Sequence, residues 1–203
     1  MSDLIVGSDG ETRCAWSGGD EMERYHDEEW GRGTTADHPL FEKIVLEGFQ
    51  AGLAWITILR KRERFREVFA GFDPEAVADF GEPEVLGLLD DAGIIRHRGK
   101  IEAAINNASR AIEMIDEFGS IAAYVWPQAP QLATPRTSFE DLPASTDEST
   151  ALSKDLKKRG WKFVGPTTMY AFMQAMGLVN DHLEGCWVRD VCEAERTPIL
   201  DRY

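Results

Sequence analysis

The side chains best suited to chemistry sit at opposite ends of this sequence. Cys14 and His26 lie near the front, and His182 and Cys186 near the back. The rear pair is spaced i, i+4, which places two side chains on one helical face or in one tight turn. Two thiolates and two imidazoles suit a tetrahedral zinc ion. The chain has only 3 cysteines and 4 histidines, so a Cys/His pair at each end is suggestive. The front pair fits no standard metal knuckle, however, and a core thiol with surface imidazoles explains the spacing as well or slightly better. A second group gathers Trp16, Tyr25, Trp30 and Trp55 in about the first quarter of the chain, with Glu47 among them. Glu47 falls on the helical line of Leu40, Ile44 and Ala51, where an apolar residue is expected. A buried carboxylate is costly unless it is paired or used. It is either an i, i+4 partner of Lys43 on a half-exposed face or the acceptor in an aromatic cage for a flat, cationic, hydrogen-bond-donating ligand. For an isolated glutamate the ion pair is the better reading; the aromatics make the cage a fair rival.

The elements that must position these groups read as helical nearly throughout, so the expected class is all-α. Asp37 with Pro39 predicts a cap and first turn for an amphipathic helix carrying Leu40, Phe41, Ile44, Val45, Ala51 and Ile58, with a break near Gly52. Asp73-Pro74 and Pro83 start two short helices, the second stopped by Gly93. The spacing Ile101, Ala104, Ile105, Ala108, Ile112, Ile115 predicts a long helix ending before Gly119. Residues 127–147, with four prolines among Ser and Thr, read as a loop, ordered or flexible. Helix resumes over Ser149–Arg159 and again from Pro166 to Met176. No segment alternates convincingly enough for a strand. The glycine turns Gly93–Lys100 and Lys162–Thr168 each join two helices. The second has the form of a helix–hairpin–helix, in which Lys162, Val164, Gly165 and Thr167 would bring backbone amides to a phosphate. Either turn alone is weak, since glycine between helices is mostly a C-cap.

With 203 residues the chain makes one ordinary domain with a real core. The longest apolar-leaning stretch, Ile44–Leu59, falls short of the ~20 residues of a membrane span, and no export signal is visible at Met1–Leu4. An odd cysteine count argues against a disulfide scaffold, so a cytoplasmic location is expected. The net charge of −14 at first argues against nucleic acid. Its distribution argues otherwise. Residues 60–66, 96–100 and 154–162 hold 13 of the 22 basic residues with only Glu63 and Asp155 as acids, so 21 positions carry +11 and the rest −25. Each run alone reads as a solvated helix face; three together fit a polyanion held at one face.

The chain resembles the DNA-3-methyladenine glycosylase I family, bacterial-type enzymes that remove alkylated adenine. The resemblance rests on Arg13-Cys14-Ala15-Trp16, Tyr25–Gly31, Leu40-Phe41-Glu42, Leu46–Trp55, Ala92–Ile101, Leu156–Gly160 and Gly177–His182, in one order over roughly Arg13 to Cys186. It implies a single helical domain of helix–hairpin–helix glycosylase type, over residues 13–186. The N- and C-terminal segments would be joined by a structural zinc on Cys14, His26, His182 and Cys186. Glu47 matches the pocket acid that bonds the flipped base, Tyr25 and Trp55 the pocket walls, Trp16 and Trp30 their neighbours. Gly52-Leu53 matches the loop inserted at the lesion. The implied reaction is hydrolysis of the N-glycosidic bond of 3-methyladenine in double-stranded DNA, by a monomer, leaving an abasic site. The family lacks the catalytic aspartate of its superfamily, and Asp181 lies close to where that residue would fall. Residues 1–12, expected to be a flexible extension, the 187–203 tail with Cys192, and Ala54 in place of an expected serine depart from the family pattern and carry no assignment. A broader-specificity glycosylase and a non-enzymatic zinc-stapled DNA-binding domain are the rival readings; the pocket acid, which favours an amine donor, argues against the first, and the trio Tyr25, Glu47 and Trp55 would be superfluous in the second.

Overall fold

In the computed structural model, described for residues 3–130 and 135–203, a hairpin precedes a helical body. Strands β1 (Leu4–Val6) and β2 (Thr12–Cys14) pair antiparallel. The helices are α1 (Asp20–Glu28), α2 (Asp37–Gln50), α3 (Trp55–Leu59), α4 (Arg62–Val68), α5 (Pro74–Ala78), α6 (Glu82–Asp90), α7 (Arg98–Phe118), α8 (Ile121–Val125), α9 (Asp147–Lys158), α10 (Pro166–Ala175) and α11 (Val188–Leu200). The fold is thus predominantly helical, and the expectation of no strand is corrected for the described part, in which residues of the expected 1–12 extension contribute to the hairpin. Three-residue strands are too short to show alternation, and the hairpin is fixed by partners distant in sequence. Trp187 donates its amide to the Thr12 carbonyl, and Phe139 its amide to Asp3.

Helix α2 is the central strut. Leu40, Phe41 and every residue from Lys43 to Phe49 are buried, the pattern of a helix enclosed nearly all round, and it packs on α10, α7 and α8. Asp37 does not cap it. Ala36 takes the cap position, and the Asp37 carboxylate instead accepts the Ile121 amide at the start of α8. The helix ends at Gln50 and the chain reverses through Gly52, whose φ of 85° favours glycine. The α5 cap on Asp73, the α7 stop at Gly119 and the α9–α10 pair fall within a residue or two of expectation.

Residues 131–134 of the proline-rich loop lie outside the described residues; Arg136, just after them, bridges to Leu183. The expected tail after Cys186 is helix α11, which buries Val188, Cys192 and Arg196. Arg196 donates to the carbonyls of Leu178 and Pro130, anchoring it to the body. Among the described residues no helix is long and apolar enough to cross a membrane.

Candidate active site and metal centre

The two ends of the chain meet at the four Cys/His side chains. Cys14 ends β2, His26 projects from α1, and His182 and Cys186 lie on the turn before α11. Their ligand atoms all lie within 4.8 Å of one another, and all four residues are buried. Cys186 Sγ is 3.4 Å from His26 Nε2 and 3.6 Å from His182 Nδ1. Each histidine has its other ring nitrogen engaged: His26 Nδ1 lies 2.7 Å from Asp27 Oδ1, and His182 Nε2 lies 3.0 Å from the Trp30 carbonyl. Acceptors on the far nitrogens orient the rings and leave the inward nitrogens free to coordinate. Arg13 braces Asp27 with a two-pronged contact, so hairpin and helix are locked behind the ligand. Neighbouring Cys14 and the two imidazoles favour a thiolate at Cys186, while that charge and burial push the Cys14 thiol up. The group could hold a metal ion. Its closed set of four leaves no position open for water.

An aromatic stack leads from this centre to a cavity. Trp30 packs edge-on to His182 at 4.6 Å between ring centroids, Trp16 meets Trp30 at 5.0 Å, and Tyr25 lies 5.2 Å from Trp55. Trp16, Tyr25, Trp30, Glu47 and Trp55, the five pocket residues expected from sequence, line one cavity of about 190 Å³ together with Met22, Gln50, Ala171 and Gln174. That is below the roughly 300–1,000 Å³ of drug-sized sites and suits a single flat ring system. Glu47 is only 5 % exposed. Burial pushes its carboxyl above the usual range, opposed by Lys43. Burial, then the Glu47 charge, keeps the Tyr25 phenol un-ionised.

Three residues here were not assigned a pocket role from sequence. Lys43 is buried with its ammonium 3.6 Å from Glu47 Oε1, so the expected half-exposed face is an enclosed one. Gln174 lines the cavity and donates its amide to Asp181. Lys100, read as part of a basic run, is buried and donates to the carbonyls of Phe49 and Ala51 at 2.8 and 2.7 Å, closing the end of α2 where the Gly52-Leu53 loop leaves it. Leu53 itself is 41 % exposed at that loop, beside Gln50 of the cavity wall. Asp181 does not line the cavity; its carboxylate accepts from Tyr170, Gln174 and Arg136.

The hairpin between α9 and α10 turns through Phe163, which has positive φ, into Gly165 at the N-cap of α10. Lys162 and Thr167 flank it. The Val164 side chain is in the core and its carbonyl accepts from Ser153, which leaves its amide for the expected phosphate contact. The basic runs also differ. Arg60 pairs with Glu21, Arg62 with Glu29, Arg64 with Glu67 and Asp91, Arg66 with Glu42 and Glu63, and Arg98 with Glu82 and Glu102. Acids distant in sequence, with local ones such as Glu63, Glu67 and Glu102, neutralise these arginines, a balance that counting by segment largely misses. Among the described residues, Lys154, Lys157, Lys158 and Lys162 have no carboxylate within 4 Å.

With this geometry in place, comparison with known proteins is informative. The family description "Methyladenine glycosylase" matches residues 16–190. The chain belongs to the methyladenine glycosylase family. It is 52% identical over 178 residues to DNA-3-methyladenine glycosylase 1 of Escherichia coli (strain K12), an alignment covering 86% of this chain and 95% of that protein. It is also similar to a crystal structure of 3-methyladenine DNA glycosylase I at TM-score 0.83 and 50% identity, covering 86% of this chain and 98% of the other. A variant of 3-methyladenine DNA glycosylase I solved in complex with 3-methyladenine superposes at TM-score 0.82 and 33% identity, covering 86% of this chain and 95% of that one. In this methyladenine glycosylase family member, the cavity between α1, α2, α3 and α10 is therefore the candidate base pocket, and the Cys/His centre stands one aromatic layer behind it.

Proposed function

We propose that this protein is a monofunctional DNA glycosylase that hydrolyses the N-glycosidic bond of 3-methyladenine in double-stranded alkylated DNA and leaves an abasic site. The observation that carries this is the convergence of a buried carboxylate, Glu47, with Tyr25 and Trp55 in a cavity sized for one base. A base must leave the stack to be cut, at a few kcal/mol, less for a damaged pair. Leu53, exposed beyond Gly52, is placed to fill the gap it leaves. N3-methyladenine carries a delocalised positive charge, so it is already an activated leaving group. Glu47 accepts from its exocyclic amine, the rings of Tyr25 and Trp55 face its cation, and Trp16 and Trp30 back them. Water then attacks the sugar carbon. Lys43 does not line this cavity and is held by Tyr25, Glu47 and Trp55, so it offers no amine for a strand-cleaving Schiff base.

The centre fits zinc in a structural role. Tetrahedral zinc with ordinary Zn–S and Zn–N bonds sets sulfur and nitrogen about 3.5 Å apart, against the 3.4 and 3.6 Å here. Cys14, His26, His182 and Cys186 would hold it, joining hairpin, α1 and the α11 turn. DNA would lie across the helix–hairpin–helix of α9 and α10, where Lys162, the Val164 and Gly165 backbone and Thr167 meet phosphate. The protein acts as a monomer in the cytoplasm. Incubating it with methylated duplex DNA and identifying the released bases by chromatography tests the reading. Release of 3-methyladenine with intact strands is expected; release of several alkylated bases at comparable rates, or of none, contradicts it.

A further inference from the structure

Lys43 is the unexplained group at this pocket. It is a lysine only 8 % exposed, although its side chain carries one of the charges most expensive to bury. Its ammonium sits 3.9 Å above the centre of the Trp55 ring, 3.6 Å from Glu47 Oε1, and donates to Tyr25 Oη at 2.8 Å. The Tyr25 ring is a second aromatic face, 4.9 Å away. Those three partners are the groups assigned above to recognition of a cationic base. A second cavity of about 250 Å³, lined by Lys43 and Tyr25, lies on the side of the lysine lined by Glu29, Glu42, Arg62 and Arg66.

We propose that Lys43 is a positioning residue for the base pocket: its ammonium, fixed by Trp55 and Tyr25, keeps the Glu47 carboxylate ionised so that it can accept from the base. The inference rests on the role given to Glu47 above. A carboxyl buried in an aromatic pocket tends to take up a proton, and a protonated Glu47 would lose the charge-assisted bond that holds a cationic amine. An opposite charge within about 4–6 Å opposes that tendency; burial still leaves the Glu47 carboxyl above its ordinary range, and Lys43 limits the rise. The groups facing Lys43 are Tyr25 from α1 and Glu29 just after it, Glu42 and Glu47 from its own helix, and Arg62 and Arg66 from α4. The carboxylates favour its charged form. Burial, the largest influence, and Arg62 oppose it, leaving the ammonium pushed down to about 8, so it remains charged at neutral pH. Arg62 is paired with Glu29 and Arg66 with Glu42 and Glu63, which leaves Glu47 as the acid that depends on Lys43.

The test compares wild type with Lys43→Met, which keeps the volume, and Lys43→Gln, which keeps a donor for Tyr25 but not the charge. The Glu47 carboxyl carbon is followed by ¹³C NMR as pH is varied, assigned by its loss in Glu47→Gln. Single-turnover release of 3-methyladenine is measured over the same pH range, within which circular dichroism shows each protein folded. Both neutral variants should raise the Glu47 midpoint by at least about one pH unit, and the acid side of the excision profile should rise with it. A midpoint in either variant within a few tenths of wild type would overturn the proposal, since a merely structural lysine would change stability alone. If the midpoints rise while wild-type excision does not follow the titration of Glu47, the base contact of Glu47 is what fails, and the positioning role of Lys43 falls with it.

Discussion

A carboxylate at position 47 is unfavourable in isolation, and its surroundings offset the cost unequally. Lys43 supplies a charge on one side and the cavity supplies room for a donor on the other. Glu47 was legible in sequence because an acid interrupting an apolar line needs a reason. Lys43 was not, because a lysine four residues before a glutamate is also an ordinary surface pair; only the packing of α1, α3 and α4 around α2 encloses it. Lys100 misled for a related reason. A lysine opening a helix after a basic run suggests phosphate contact, yet its ammonium closes the carbonyl end of α2. Hydrogen bonds to a charged group contribute about 1.5–3 kcal/mol, so Lys100→Met should lower the melting temperature measurably. Because the same bonds hold the turn into Gly52-Leu53, it should also slow excision from duplex DNA more than it weakens binding of free 3-methyladenine. Loss of both in equal proportion would contradict that role.

At the scale of elements, the Cys/His centre is where the hairpin, α1 and the turn before α11 meet, and it could hold a metal ion. Metal binding in such a site contributes to folding free energy. Replacing Cys186 with serine should therefore lose the metal and lower the melting temperature together, as read by metal analysis and thermal unfolding. Cys192 makes a discriminating partner. It lies on the buried face of α11 against Gly31 and is not one of the four candidate ligands. Cys192→Ser should cost at most about 1–3 kcal/mol, since the buried hydroxyl has the Trp30 carbonyl, 3.9 Å from the thiol it replaces, as its acceptor, and keep the metal. The sequence held no cue for α11 as a lid on this centre, since Val188, Cys192 and Arg196 are too mixed in character to announce a core face. Helices α9 and α10, by contrast, were legible from glycine and proline punctuation alone. On the hairpin they form, changing Lys157 and Lys158 to glutamine should weaken binding to all DNA sequences alike and flatten its salt dependence by up to about two units of slope. An unchanged slope would show those lysines to be a solvated face.

Over the whole molecule the segregated charge read from sequence is largely folded away, because acids from distant segments meet the arginines of α4 and α7. What remains is an acidic body with free lysines clustered on α9 and its hairpin, which favours one docking face over a general affinity for polyanions. The ion pairs also set the response to acid. Burial would raise Asp27 and Glu29, but Arg13 with His26 and Arg62 respectively outweigh it and hold both carboxyls below their ordinary range. A depressed carboxylate stabilises the fold fully above its unfolded value, about 3.9 for Asp and 4.3 for Glu, and that contribution is lost as pH falls through the folded value. Thermal stability should therefore hold above about pH 5 and decline below about pH 4. Glu47 works with the opposite sign, since its raised carboxyl is more easily protonated in the folded state. All these features serve one claim, that a buried acid among aromatic faces selects a cationic adenine for excision. The most direct measurement is single-turnover release of 3-methyladenine from methylated duplex DNA by wild type and Glu47→Ala, with fold and metal content confirmed for both. Loss of about 1.4–2.8 kcal/mol of transition-state stabilisation corresponds to a roughly 10–100-fold slower release by the variant, while unmodified adenine stays a poor substrate for both. Equal rates of 3-methyladenine release from the two proteins would contradict the account.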